Sequence, residues 1–424
     1  MRVCEAIVSV ALMTLVAMPA RAAAEPLGLT VDELVEMALE ANPQVKSARA
    51  RWKSAEHSVK QNYAPADPVF SYSNVDSPNN GFDQASVHTL QVTESFQFPG
   101  KALLQADNAT RAANIARLTY LATLRDIRAQ TETGFYQDLL DDALDDVTAE
   151  NVANLKRVQQ VTQVAYSAGR ATQSDFISAE FDTAAAEQQE RQLRVSELND
   201  RTLLNQLMFR QPDEPLSLDR HFNLKTIETP LDTLRERAVE VRQEVLRAAL
   251  AERNSATALQ LARLEYAPDY ALGYTFDNYL LSSAAPAPNG RMQDHGFSVG
   301  FNMPVFFWLK QREDVTRAGY DLEAARYDMG SIKNQTAATV TTLYRTAELA
   351  YRTAILYRDT LIPLARQDFE VALVSYSSGK IGFADLAATL RRNYDSRVAY
   401  LQAANQFLAG KVALEQAIGE PLAK

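Results

Sequence analysis

The chain has 424 residues, with 43 Lys and Arg against 53 Asp and Glu and a formal charge of −10. Nucleic acid selects basic surfaces and is a poor match for that balance. The lone cysteine, Cys4, leaves no disulfide framework and no thiolate metal site.

Residues 1–22 read as an export signal. Arg2 supplies a basic start, Ala6 to Met18 is apolar, and Ala20-Arg21-Ala22 is a small-x-small cleavage site. The stretch is too short for a membrane-spanning helix, which needs about 20 apolar residues. Without Arg2, Arg21 and Glu5 the chain keeps 41 bases and 52 acids, or −11, and it has no lipid-anchoring cysteine. No later run of about 18 apolar residues follows. A role inside a membrane would therefore need strands closed into a barrel.

Thr30 to Asn62 predicts one helix, with Thr30 and Glu33 spaced as a capping box and Tyr63-Ala64-Pro65 as its stop. Leu231 to Glu265, stopped by Tyr266-Ala267-Pro268, repeats the pattern. After each stop the period changes from helical to two. Phe70 and Tyr72, then Leu90, Val92, Phe96 and Phe98, alternate with Ser, Thr and Gln. Tyr270, Leu272, Tyr274 and Phe276, then Phe297, Val299, Phe301 and Met303, alternate with small or polar residues. The strands expected are about 68–75, 87–98, 269–279 and 295–305. They have about the length of tilted membrane-crossing strands, apolar towards lipid and polar towards a wet lumen. Alternation alone also fits a sheet with one face on a soluble core. The polar, turn-rich loops 76–85 and 281–294 and the export signal favour lipid.

Lys101 to Ala165 and Lys310 to Ser375 read as unbroken helix, each roughly 100 Å long at about 1.5 Å per residue. Leu140, Leu144, Val147, Asn151, Asn154, Val158, Val161 and Ala165 step by three and four. Leu343, Ala347, Ala350, Ala354, Tyr357, Leu361 and Leu364 do the same. Such steps fit a buried bundle face or a coiled-coil seam, and the helix length favours the seam. Pro363 predicts a kink that its counterpart Ala153 lacks. Asp141-Asp142 and Asp145-Asp146 predict a solvated face.

Each long helix ends in the same signature. Tyr166-Ser167-Ala168-Gly169-Arg170 precedes Asp175-Phe176, and Tyr376-Ser377-Ser378-Gly379-Lys380 precedes Asp385-Leu386, every position displaced by 210. Each predicts the tip of an antiparallel helical hairpin, closed by a left-handed glycine. Helices return over about 172–209 and 382–418, and 211–230 is a proline-containing linker. The chain is thus internally duplicated, as 23–210 (tip 166–175) and 231–424 (tip 376–385). The fold class expected is mainly α with a transmembrane β part. Four strands cannot close a membrane barrel, for which about eight is the minimum, so several chains must combine.

Catalytic signatures are lacking. His57, His88, His221 and His295 lie far apart without acids at metal spacing, and no nucleophile triad or phosphate loop appears. No enzyme activity, cofactor or metal is expected. His88 and His295 fall on the apolar strand faces and read as barrel-rim or loop residues.

The duplicated tips, the strand pairs with their returns at Phe98-Pro99-Gly100-Lys101 and Met303-Pro304, and Leu361-Ile362-Pro363-Leu364-Ala365 together resemble the TolC-like outer-membrane efflux protein (outer membrane factor) family, over essentially the whole mature chain. The resemblance implies an outer-membrane homotrimer with long coiled-coil hairpins forming a periplasmic α-barrel below a 12-stranded β-barrel. It implies a periplasmic adaptor (membrane fusion protein) and an inner-membrane pump as partners, with metal cations or drugs as cargo. The Phe-Pro-Gly-Lys return looks like the divalent-metal branch. The family also implies a periplasmic gate, with Tyr376 facing Ser174 and Asp175 and with Asp385 repeated as an acidic ring. Asp175 and Asp385 equally fit helix caps. The chain departs from the family's pattern at Ile381, where a gate arginine is usual, and at Ala388, where a second ring acid is usual; Lys380 or Arg170 could stand in for the arginine. A periplasmic adaptor would show one hairpin and compact soluble strands. A structural coiled coil of the envelope would lack the strands.

Overall fold

The computed structural model describes residues 28–78, 84–220, 224–280 and 291–422. The export signal, His221 and the centres of both strand-connecting loops lie outside the described residues. Thr30 caps α1 (Val31–Ala41) as the spacing predicts: its N–H donates to Glu33 Oε2 (2.8 Å), and the Glu33 N–H donates to Thr30 Oγ1 (3.4 Å). The helix expected to run on to Asn62 is in fact two. Asn42 is extended (ψ 125°), and its Oδ1 accepts the Gln44 N–H (2.8 Å) to start α2 (Pro43–Tyr63). Pro43 explains the break, because a proline disfavours helical backbone in the residue before it. The Asn42 amide then donates to the Leu207 carbonyl (3.0 Å), which ties the corner down.

Leu231–Glu265 is likewise broken, into α5 (Leu231–Val241) and α6 (Gln243–Leu264), at Arg242 (ψ 129°) and without a proline. Here tertiary bonds set the corner. Arg242 Nε meets Glu244 (2.9 Å), and Gln243 Nε2 donates to the Gly419 carbonyl (3.2 Å).

Strands β1 (Val69–Pro78), β2 (Gln84–Phe96), β3 (Tyr270–Leu280) and β4 (Arg291–Phe301) form one antiparallel sheet in that order. The register places Phe70 beside Val92, Val92 beside Tyr274, and Tyr274 beside Phe297, so most large apolar residues share one face, while Val75, Val87 and Tyr279 form a row on the other. That face is bare in the single chain; Phe297 is 87% exposed. The other face carries Ser71, Ser73, Gln91, Thr93, Thr275 and Ser298, and Thr89 donates to Asp277 (2.6 Å). Phe98 and Met303 fall beyond the strand ends.

The first long helix, α3 (Lys101–Ser167), runs 67 residues without a break. Its counterpart is α7 (Gln311–Leu356), a π-turn at Tyr357–Leu361, and α8 (Ile362–Ser377). The π-turn lies just before Pro363, whose ring would clash with the carbonyl four residues back in a regular helix. The wider turn, closed by the Ile362 N–H on Tyr357 O, adds one residue and shifts the buried stripe. Ala347, Ala350 and Ala354 are buried before it, and Ala365, Phe369, Ala372 and Tyr376 after it, while Leu364 is turned to solvent. The expected seam through Leu361 and Leu364 is displaced for that reason.

The returning helices are α4 (Gln173–Leu207) and α9 (Phe383–Ile418). α3 packs on α4 and α9, α7 packs on α9, and α2 and α6 lie along α3 and α7. The linker is part of the fold. Leu218 bridges to Leu29 in parallel (Leu29 N–H to Ser217 O, 2.9 Å), and Leu216 joins the core of Leu34, Ile127, Phe135 and Leu204.

The sheet meets the helices at a buried clamp. Lys101, 2% exposed, places Nζ 2.9 Å from Asp269 Oδ1, which also accepts the Phe98 N–H (2.7 Å). Burial opposes ionisation of Asp269, but these two donors overcome it and hold its pKa below the ordinary value. The clamp's contribution is therefore present above the ordinary carboxylate pKa and is lost as pH falls through the lowered one. Asp269→Ala leaves the buried ammonium only the more distant Glu265 carboxylate (3.5 Å) and Ala267 carbonyl (3.4 Å). Because Asp269 is partly exposed, the expected cost is discounted to about 2 kcal/mol, read as a lower thermal midpoint that Lys101→Met should restore. An unchanged midpoint in Asp269→Ala would show that the clamp does not bear on stability.

Candidate functional site at the helical tips

Both long helices end in the same hydrogen-bonded cap. At the first, the Gly169 N–H donates to Tyr166 O (2.9 Å) and the Arg170 N–H to Ala165 O (2.8 Å). At the second, Gly379 donates to Tyr376 O (2.9 Å) and Lys380 to Ser375 O (2.9 Å). Gly169 (φ +71°) and Gly379 (φ +75°) are left-handed, with open space where a Cβ would sit. Backbone conformation, not crowding, calls for glycine there.

The tips differ in their side chains. Tyr376 is buried among Val158 of α3, Phe369 and Ala372 of α8, and Leu386 and Leu390 of α9. Tyr166 is exposed and stacks on Phe176 (6.3 Å between centroids). Arg170 reaches across to the Ser377 carbonyl (3.4 Å), and Lys380 is exposed. Within the chain the Tyr376 hydroxyl donates to Thr162 Oγ1 (3.4 Å), not to Ser174 or Asp175. Thr162 carries no sequence signal that marks it as this partner.

The two acids also part company. Asp175 Oδ2 accepts the Thr172 N–H (2.9 Å) while its own N–H donates to Thr172 Oγ1 (3.1 Å), a full capping box. The Thr172-to-Asp175 spacing signals that box in the sequence. Asp385 holds the same position in α9, but the residue at its N-cap is Gly382, which has no hydroxyl, and no side-chain cap bond forms. Asp385 is exposed. Ile381 packs against the tip core, and Ala388 lines a groove of ≈ 480 Å³ between α3, α4 and α9 with Val158, Ala179 and Phe383.

Two expectations made away from the tips have different outcomes. Asp141 and Asp142, expected on a solvated face, are 4% and 9% exposed, because that side of α3 is covered by α4 and the linker. His88 and His295 do lie on the apolar sheet face, where Tyr72 (2.8 Å) and Tyr274 (2.6 Å) share a hydrogen bond with each Nδ1. No described helix is long and apolar enough to cross a membrane, and no described cluster of His, Cys, Asp or Glu is arranged to hold a metal.

A sheet with one bare apolar face, continuous with two helical hairpins some 100 Å long at about 1.5 Å per residue, defines a channel-forming class of membrane protein. A profile described as outer membrane efflux protein matches residues 34–208 and 234–420. The chain belongs to the outer membrane efflux protein family and is an outer-membrane efflux channel component. Its fold is similar to the outer-membrane channel OprN (17% identity over 92% of this chain and 90% of that chain, TM-score 0.78). It is also similar to the outer membrane protein VceC of Vibrio cholerae (15%, 93% and 97%, TM-score 0.78) and to the open state of the MtrE outer membrane channel of Neisseria gonorrhoeae (16%, 92% and 89%, TM-score 0.72). No curated protein matches the chain in sequence.

The asymmetry of the two tyrosines is testable. Tyr376→Ala should cost about 3–5 kcal/mol by emptying a packed site, and it should expose the tips to limited proteolysis. Tyr166→Ala, at the exposed equivalent, should cost under about 1 kcal/mol. Equal protease sensitivity in the two variants would contradict the burial difference.

Proposed function

We propose that three copies combine their four-stranded sheets into a 12-stranded barrel, with the helical hairpins gathered below it as a periplasmic tunnel. In this reading the channel carries no catalysis. It receives metal cations or drugs from a periplasmic adaptor and an inner-membrane pump and releases them outside. The observation that carries the assembly is the sheet itself, in which β1 and β4 are both open edges. Unpaired backbone groups are not tolerated in hydrocarbon, so those edges need strands from other copies.

The tips are the proposed closure, with Ser174, Asp175, Tyr376 and Asp385 as its residues. Asp175 is occupied by its cap, which leaves Asp385 to supply free charge at the mouth. Tyr376 acts by locking α8 to α3 and α9. A threefold ring of Asp385 carboxylates would attract cations and repel anions. Asp385→Asn should weaken cation selectivity in planar bilayers without changing the thermal midpoint. Unaltered selectivity would place the charge filter elsewhere.

Assembly is tested on full-length protein in mild detergent, where the mass of a trimer is expected; a population of monomer alone would overturn the barrel. The two sheet faces give a second test. Val299→Arg should impair insertion by about 2–4 kcal/mol if the site lies near the bilayer midplane, while Ser298→Arg should insert normally and alter conductance. Equal insertion defects from the two faces would mean that the apolar face is not in lipid.

A further inference from the structure

A string of buried and half-buried polar side chains crosses three helices well above the tips. Asn405 of α9 donates to Gln137 Oε1 of α3 (3.3 Å), and Gln137 Nε2 donates to Asp141 Oδ1 (3.1 Å). The other Asp141 oxygen, Oδ2, is buried without a donor, and so is Oδ2 of Asp200 on α4. Asp138 and Arg201, three residues before Asp141 and one after Asp200, pair at 3.2 Å across the same two helices, so the two carboxyl groups sit at one level of the α3–α4 contact.

Among the described residues, the nearby cations are already engaged. Arg201 pairs with Asp138 (3.2 Å) and Glu197, Arg194 with Asp145 (3.7 Å) and Glu190, and Arg220 with Asp142 (2.6 Å). At this level α9 presents Leu401, Ala404, Asn405 and Leu408, and the linker adds Asp219. Among the described residues, no charged donor from α3, α4, α9 or the linker is bonded to Asp141 or Asp200. Two carboxylates cannot satisfy each other, whereas a carboxyl and a carboxylate can.

We propose that Asp200 takes a proton from solvent and, as a carboxyl, donates it to the donorless Asp141 Oδ2, and that this bond joins α3 to α4 in the first hairpin. A cleft of ≈ 290 Å³ lined by Asp138, Asp142 and Arg201 opens beside the neighbouring residues of α3 and α4. Burial raises the Asp200 pKa, and the neighbouring Asp141 and Asp138 charges raise it further, to about 7. A raised carboxyl pKa means that the folded state holds more protons than the unfolded one between the ordinary value and about 7, so stability falls as pH rises across that range. The latch is closed in mild acid and is lost on the alkaline side, where two like charges are left buried between the helices.

The second hairpin has no such device. The residues displaced by 210 from Gln137, Asp141 and Asp200 are Ala347, Tyr351 and Gly410. There a Cβ on Gly410 would come 3.3 Å from Ala347 Cβ, so that hairpin is held by close contact of small groups. This carboxyl latch is therefore confined to one of the two hairpins, and the string through Gln137 and Asn405 connects it to α9 of the other.

The experiment is infrared difference spectroscopy with thermal unfolding on full-length protein in detergent, from about pH 5 to about pH 9. Neither readout depends on channel activity, so failure here is distinct from failure of the efflux reading. The parent should show a protonated-carboxyl band with a component titrating near 7, separate from that of Asp138, which burial raises to about 6. Asp200→Asn supplies an amide donor in place of the proton. It should abolish that component, flatten the fall of thermal midpoint with pH, and lie above the parent at the alkaline end. Asp141→Asn, which supplies the donor from the other side, should do the same. Persistence of the component in both variants would overturn the proposal. So would a band that appears only after divalent cations are chelated, since a metal would then occupy the place of the proton.

Discussion

A four-stranded sheet has two open edges, and in hydrocarbon neither can stay open. Each unpaired peptide group there costs several kcal/mol, with no water to replace the missing partner. β1 and β4 are those edges, and much of the rest of the molecule is arranged so that they can be paired. Most large apolar residues of the four strands lie on one face and most hydroxyl and amide residues on the other, as a barrel wall between lipid and water requires. Both loop-side ends point away from the helices, so each strand pair returns to the helical side and hands the chain to a long helix.

That hand-over depends on the two halves meeting. The return of the first half, at Phe98 and Lys101, is held by Asp269 from the approach to β3 in the second half. Arg125 of α3 makes a second link, to Glu244 at the start of α6 (2.8 Å) and to Gln243 (2.8 Å). Burial alone would raise the Glu244 pKa, yet bonds to the guanidinium lower it to about 2, so this link stays ionised over the range of pH in which the latch of the first hairpin changes. The Arg125–Glu244 link is thus insensitive to mild pH change, while the proposed latch is not.

Duplication supplied two hairpins of equal length, and substitutions then made them mechanically different. α3 is unbroken α-helix where its counterpart carries a π-turn just before Pro363. Asp175 is held by Thr172, whereas Asp385 faces a glycine and stays free. Tyr376 is a core residue of the tips, whereas Tyr166 lies on their surface. A tube built from unlike hairpins has unlike seams between its staves, and a displacement that opens one seam need not open the next.

Much of this was legible in the sequence, because local rules act on neighbours in the chain. The period-two alternation of Phe297, Val299 and Phe301 gave strands and their faces. Glycine in a repeated Tyr-small-small-Gly-basic stretch gave the tips, and the 210-residue displacement of each position gave the duplication. Thr30 with Glu33 gave a cap that the structure contains. The break at Asn42 was readable too, from Pro43, but the break at Arg242 was not, since distant partners such as the Gly419 carbonyl hold it. Nor could spacing reveal that Asp141 is buried, that Tyr376 bonds Thr162, or that Leu364 faces solvent. Each depends on which helix covers a given side and on the phase in which it arrives. A helical stripe records that a face is covered but not by what, and a single inserted residue in one turn moves every later position around the axis. The chain's own pattern therefore determined the elements and their amphipathic faces. Only their packing decided which acids are capped, which are buried without a donor, and which remain free.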